Sequence, residues 1–362
     1  MKNIKRPFPI HPASLTILSI GLISGIIHLA CILSESFAEL INGTLGATVR
    51  FLLAKLFSLF PFSFMEFLLF SAPISVAITV CLAVKCARRG NVYLVRALSA
   101  VLSIGVGVYS LFALSFAPAY RTSPFSERAG LDARAVSAEE LYETTLIIID
   151  ELNSLEDISY NKDGASYMPF TLKELSKKLC TSYSSLSEDY TFITHFDSEA
   201  KPLIISPIMT YTHISGIYSF FTGEANVNTN YPDYVTVFTC AHEMAHQRGI
   251  AREDEANFTA FLVCKDSPDS YIRYSAYLNM YDYLASALYS ADFDLYSDAY
   301  SKLSAGAKSE LRAYSAFFDK YRDNAAADIS DTMNNAYLES QGTEGVRSYG
   351  LVVDLAVSYY LH

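Results

Sequence analysis

The sequence predicts an all-α transmembrane region at the N-terminus followed by a mainly helical α+β domain with a small sheet. Two observations predict it. First, 51% of the 362 residues are hydrophobic and mean hydropathy is positive, which is high for a chain solvated on every side. Second, charge is split along the chain. Residues 1–118 hold nine Lys or Arg and three Glu, net +6, whereas the remainder holds 18 basic and 35 acidic residues, net −17. An apolar, weakly basic front joined to an acidic, charge-rich back is the pattern of a membrane module (1–118) followed by a domain in water (119–362). The acidic balance excludes nucleic acid as a partner, because phosphate needs a positive footprint.

Within the front region, residues 13–34 contain no charged side chain and are long enough to cross a hydrocarbon core as a helix. Two more apolar stretches, 67–87 and 92–116, predict a second and a third span. Arg96 lies near the start of the third, where its long side chain can snorkel to the interface. The stretch 35–66 holds Arg50 and Lys55, and its apolar residues recur at helical spacing, so it predicts an amphipathic helix lying in the interface. Lys2, Lys5 and Arg6 precede the first span, and Lys85, Arg88 and Arg89 cluster between the second and third. Three spans put both groups on one side, the cytoplasm, and the acidic domain outside. The expectation is a multi-pass membrane protein with a cytoplasmic N-terminus and its acidic domain outside, with lipid as one partner.

The chemistry is concentrated between Thr222 and Cys264. His242-Glu243-Met244-Ala245-His246 matches H-E-x-x-H. On a helix, residues four apart share a face, so both imidazoles can reach one zinc ion. Glu243 is offset around the helix, where it can act as general base toward a zinc-activated water. A chance match in a chain of this length is on the order of one in a hundred, and apolar Val237, Phe238, Ala241, Met244 and Ala245 favour a buried helix over a surface one. Gly249 suits a left-handed helix terminator, and a second helical run follows from Arg252 to Asp266. A catalytic zinc site takes three protein ligands and keeps one position open. No histidine follows His246 until His362, so the third ligand is sought among Glu253, Asp254 and Glu255. Glu253 fits best. Ala256 on its face lets two helices approach, and Asn257 can hydrogen-bond a ligand histidine from behind. Glu255 is the fallback.

Glu253-Asp254-Glu255-Ala256-Asn257 resembles the E-x-x-A-D/N signature of gluzincin peptidases, which implies Glu253 as the third zinc ligand. Only six residues separate His246 from Glu253, fewer than in the better-known gluzincins. A wider resemblance is carried by Ala119 to Leu131, Phe220 to Phe258 and Asn335 to Asp354, which are similar to the bacterial domain-of-unknown-function 3810 family. That resemblance implies a membrane region and a zincin-like metallopeptidase domain. It implies no substrate.

Glu224-Ala225-Asn226-Val227-Asn228 alternates in polarity and reads as a strand at the sheet edge. The resemblance to zincins implies that it borders the cleft and pairs with an extended peptide, while the pattern alone fits an ordinary strand or turn equally well. Tyr218 and Tyr231 are candidate donors to an oxyanion, although packing is the commoner role for any one of 26 tyrosines. His195 and His213 read as structural. Cys180, Cys240 and Cys264 are an odd number at no metal-ligand spacing and read as small buried residues. Helices are predicted over 139–155, 171–183, 271–290, 293–303, 308–321, 325–341 and 344–361, and 203–218 reads as extended. Two functions are compatible with this pattern. One is a membrane-anchored zinc metallopeptidase acting on peptide or protein. The other is a zinc-binding membrane protein that senses, binds or assembles without turnover. The intact Glu243 favours the first.

Overall fold

The structure is a computed structural model that describes residues 9–132, 134, 136–322, 324–343 and 351–362. Lys2, Lys5, Arg6 and the first residues of the last predicted helix lie outside these. The described chain is mostly helical, with an apolar helical region at its N-terminus and one small sheet.

Three long apolar helices dominate the front: α1 (Pro12–Leu33), α4 (Phe64–Arg89) and α5 (Asn91–Ser115), with α2 (Glu35–Ile41), a π-helical turn (Asn42–Gly46) and α3 (Ala47–Phe57) between the first two. By length and composition, α1, α4, α5 and the 23-residue stretch Glu35–Phe57 could each cross a membrane. α1 and α5 run side by side in the same direction. Ser103 Oγ, in the middle of α5, donates to the Ser14 carbonyl near the start of α1 at 3.4 Å, and His28 Nδ1 meets the Tyr109 hydroxyl at 3.1 Å further on. α4 turns back into α5 at Gly90, so the end of α1, the start of α4 and the end of α5 lie together.

The stretch 35–57 is bonded to the rest of the protein along its length. Asn42 Nδ2 donates to the Gly249 carbonyl at 3.0 Å. The buried Arg50 guanidinium donates to Asn42 Oδ1 (2.8 Å), the Asn42 carbonyl (2.9 Å) and the Ser115 carbonyl (2.5 Å). Lys55 Nζ donates to the Asp197 carbonyl at 2.9 Å. The opposite side, with Leu45, Leu52 and Leu56, is exposed. The start of α4 is clamped as firmly. The Phe64 and Met65 amides donate to the Glu224 carboxylate at 3.0 and 2.9 Å, satisfying N–H groups that the first helical turn leaves free.

After α5, a 3₁₀ turn (Ala117–Arg121) and α6 (Phe125–Ala129) lead to α7 (Ala138–Ser154) and α8 (Leu172–Asp189), both opened by capping boxes, Ser137 with Glu140 and Thr171 with Glu174. β1 (Lys201–Pro202), α9 (Ser206–Met209), β2 (Gly216–Ser219) and β3 (Glu224–Val227) precede α10 (Asp233–Gln247) and α11 (Glu253–Lys265). Then come α12 (Ser270–Ala291), α13 (Phe293–Lys302), α14 (Ala305–Phe318), α15 (Ala325–Ser340) and α16 (Val352–Leu361). Every described strand lies before α10, as the sequence predicts. α10, α11 and α12 form the centre of the core, with Val237, Phe258, Phe261, Ile272 and Leu278 fully buried.

Two expectations are corrected. The sheet order is β1-β3-β2, with β1 parallel and β2 antiparallel to β3, so Glu224–Val227 is the central strand and no edge. Both of its backbone sides are already paired, which leaves β1 and β2 as the edges. The stretch 203–218 is not extended throughout. Pro207 sits at the start of a helical turn, where its fixed φ and missing N–H are tolerated, and α9 forms there.

Gly249 joins the two central helices with φ +91°, and a Cβ there would lie 2.3 Å from Arg50 Nη2. Gly249→Ala is expected to destabilise the protein by about 2 kcal/mol or more, through backbone strain plus displacement of a buried guanidinium. Thermal unfolding of the full chain in detergent measures this, and an unchanged midpoint would contradict it.

Candidate metal centre

α10 buries Val237, Ala241, Met244 and Ala245 on one side and turns Phe238, His242 and His246 toward the other, which lines a cleft. The two rings lie one helical turn apart, centroids 4.6 Å apart and planes at 90°. The chain reverses at Gly249, and the first residue of α11 delivers its carboxylate to both rings. Glu253 Oε2 is 3.1 Å from His242 Nε2 and 3.7 Å from His246 Nε2. One donor atom from each of the three residues lies within 4.8 Å of the others, the spacing that one ion requires.

The outer nitrogens fix the chemistry of the inner ones. His242 Nδ1 is 2.8 Å from Asn257 Oδ1, and His246 Nδ1 is 2.8 Å from the Ile250 carbonyl oxygen. Both partners are acceptors, so each Nδ1 carries the proton. Each Nε2 then points its lone pair at the cluster, ready to bind a metal. Two neutral imidazoles and a carboxylate match the donor preference of zinc.

Electrostatics in the metal-free protein follow from the same contacts. Burial would depress His246, but the Glu253 carboxylate overcomes it and raises the imidazole to about 9. Burial would raise Glu253, but the two imidazoles hold it well below the usual carboxylate range. Glu243 is different. Burial pushes it up to about 7 against the pull of His242 and His246, with the Glu253 charge adding to the rise. It receives a hydrogen bond from the Tyr218 amide, while its Oε2 has no partner among the described residues. Strand β2 passes so close that a Cβ on Gly216 would lie 2.6 Å from Glu243 Oε1, so glycine is needed there.

These groups line a cleft of about 670 Å³, walled by β2, α10, α12 and α15 and reaching Phe116 at the end of α5. The Phe116 ring packs edge-on against His246 at 5.9 Å.

His242, Glu243, His246, Glu253 and Asn257 therefore come together as the sequence predicts. Glu255 does not join them. Its carboxylate accepts from Arg252 Nη1 (2.8 Å), Arg128 Nη2 (3.0 Å) and the Phe125 amide (2.8 Å), pinning α11 to α6. Asp254, pushed up to about 7 by burial and by the charge of Glu255, stands outside the cluster as well. The predicted substrate strand is spent on structure. Glu224 caps α4, Ala225 and Val227 fill the core, and Asn226 and Asn228 donate to the carbonyls of Ile217 (3.1 Å) and Ile214 (3.0 Å). Tyr218 lines the cleft, its buried hydroxyl near Arg50 and without a hydrogen-bond partner among the described residues, and Tyr231 lines a wall. His195 meets Ser187, and His213, which lines the cleft without joining the cluster, meets the Tyr321 carbonyl. Gly216, the Tyr218 amide, the Ile250 carbonyl and Phe116 were not legible in the sequence. Two are backbone groups, and the others lie far from the motif along the chain.

A family profile described as "Protein of unknown function (DUF3810)" matches residues 45–357, which takes in Arg50, α4, α5 and the whole cluster. The chain belongs to this family. No curated protein and no solved structure matches it. In this DUF3810 chain the apolar helices α4 and α5 and the His–Glu cluster thus fall within one family unit.

Two outcomes are expected here. Glu253→Ala should abolish stoichiometric zinc binding, whereas Glu255→Ala should keep zinc but lose about 3–5 kcal/mol of stability by stranding Arg128. Metal analysis beside thermal unfolding separates them, and zinc loss only in Glu255→Ala would reverse the assignment. Second, zinc must expel the proton that Glu253 stabilises on His246. Affinity should therefore rise with pH, roughly tenfold per unit until about 9. The metal-free protein should correspondingly lose the stabilisation from that proton as pH climbs from about 6.5 through 9. Chelator competition between these limits checks the slope, and a flat profile would contradict it.

Proposed function

We propose that this chain is a membrane-anchored, zincin-like zinc metallopeptidase that hydrolyses peptide or protein substrates outside the cytoplasm of a bacterial cell. One observation carries the reading. A buried carboxylate, Glu243, has an unpartnered oxygen in an open cleft, beside a His242–His246–Glu253 cluster with the right donors for zinc. Bound there, zinc supplies a Lewis acid that polarises a carbonyl and acidifies water.

Glu243 does the proton work. As a buried carboxylate with a free oxygen beside the cluster, it would accept a proton from the attacking water and return it to the leaving nitrogen as the C–N bond breaks. The Tyr218 amide keeps the carboxylate aimed, and the close passage of Gly216 holds β2 against it. β2, as the sheet edge beside the cleft, offers its backbone to an extended substrate. Asn257 and Ile250 keep both imidazoles in one tautomer.

The membrane reading has three spans, α1, α4 and α5. Both ends of 35–57 lie at the domain end of the bundle, because α1 ends there and α4 begins there. A helix tied to the domain at Asn42, Arg50 and Lys55 lies along the interface, with Leu45, Leu52 and Leu56 toward lipid. Lys85, Arg88 and Arg89, at the far end, mark the cytoplasmic side.

Glu243→Gln should keep stoichiometric zinc and lose peptide cleavage by about 10²–10⁴-fold. Full-length protein in lipid, assayed on a broad peptide library, gives the comparison. Equal cleavage by both proteins would remove Glu243 from the mechanism. Stoichiometric zinc with no cleavage by either would favour the sensing, binding or assembly role.

A further inference from the structure

The segment around α9 has two unlike sides. Leu203 and Met209 are buried against Met65 of α4, with Ile205, Ile214 and Ile217 packed around them. Ile204 and Ile208, four residues apart, are 76% and 72% exposed. One exposed isoleucine needs no explanation. A pair beside further exposed apolar groups forms a patch, and patches have partners.

The surroundings identify the partner. The amides of Ile204 and Ile205 donate to the Glu66 carboxylate at 3.0 and 2.8 Å, in the first turn of α4. Lys201 Nζ donates to the Phe60 carbonyl at 2.6 Å, in the turn that leads into α4. That turn exposes Leu59 and Phe62, α3 exposes Leu52 and Leu56, and α4 continues with exposed Phe67 and Phe70. None of the most apolar window of α4 is buried by the protein. The two isoleucines thus sit at the level where α4 enters an apolar medium, on a surface continuous with the outward side of α3.

We infer that Ile204 and Ile208 dip into the bilayer that α4 spans, giving the domain a lipid contact outside its membrane region. The contact rests on the reading of α4 as a span. Ile214 and Ile217, which pack with Ile205 on the inner side of this segment, line the cleft. The lipid contact therefore holds the cleft one layer of side chains from the membrane surface.

The chain contains no tryptophan, so each introduced tryptophan is the single indole, read selectively by exciting to the red of the tyrosine absorption. Ile204→Trp, Ile208→Trp, Phe70→Trp in α4 and Tyr167→Trp on the domain are made in the full chain. Each is reconstituted into phosphatidylcholine–phosphatidylglycerol vesicles with or without brominated acyl chains. Ile204→Trp and Ile208→Trp should lose most of their emission to brominated lipid, as Phe70→Trp does. They should emit to the blue of Tyr167→Trp and resist aqueous acrylamide. Quenching of both by acrylamide, like Tyr167→Trp, would overturn the inference while leaving α4 a span. Shielding from both quenchers would also overturn it, by showing a second copy of the chain over the patch. Failure of lipid to quench Phe70→Trp would remove the span and the inference together. Two reporter positions keep the test decisive if one substitution disturbs folding.

Discussion

Two imidazoles, His246 buried and His242 half-buried, face one carboxylate because both outer nitrogens are already held. Asn257 and the Ile250 carbonyl occupy the Nδ1 positions, so the inner nitrogens have Glu253 as their protein partner. Buried charge is costly unless it is compensated. Without an ion, a proton on His246 balances Glu253. With a divalent cation, the same carboxylate balances the metal. On the proposed reading, proton and metal would compete for one place, which the surrounding residues present to the cleft.

The reversal at Gly249 connects this constraint to the membrane helices. It sets the distance from His246 to Glu253, and its carbonyl accepts from Asn42, which also receives the Arg50 guanidinium. Arg50 in turn reaches the end of α5 through the Ser115 carbonyl. Phe116, the next residue, packs against His246. Glu224 and Glu66 exchange comparable bonds between the sheet segment and the first turn of α4. The helices at the front are thus part of the support of the centre, more than a leash for an independent domain.

Local patterns were legible because local physics sets them. The H-E-x-x-H spacing, the glycine stop and the ExxAN face all concern residues a few positions apart, and helical periodicity places them. The helices behind α11 follow from the same periodicity. Pairing order in the sheet was not legible, because alternation in 224–228 is the same for a central strand as for an edge. The choice among Glu253, Asp254 and Glu255 was legible in part. Its resolution depends on Arg128 and Arg252 claiming Glu255, and Arg128 lies more than a hundred positions away. Arg50 was visible as a lone cation in an apolar stretch, but its carbonyl partners were not.

Whether one zinc ion sits among His242, His246 and Glu253 is tested most directly by X-ray absorption at the zinc edge on the purified, zinc-loaded full chain. Two imidazoles should appear in a shell of nitrogen and oxygen only, with Zn–N near 2.0–2.1 Å. A sulfur shell, which would move the metal to the cysteines, or a spectrum without histidine scattering would contradict the account.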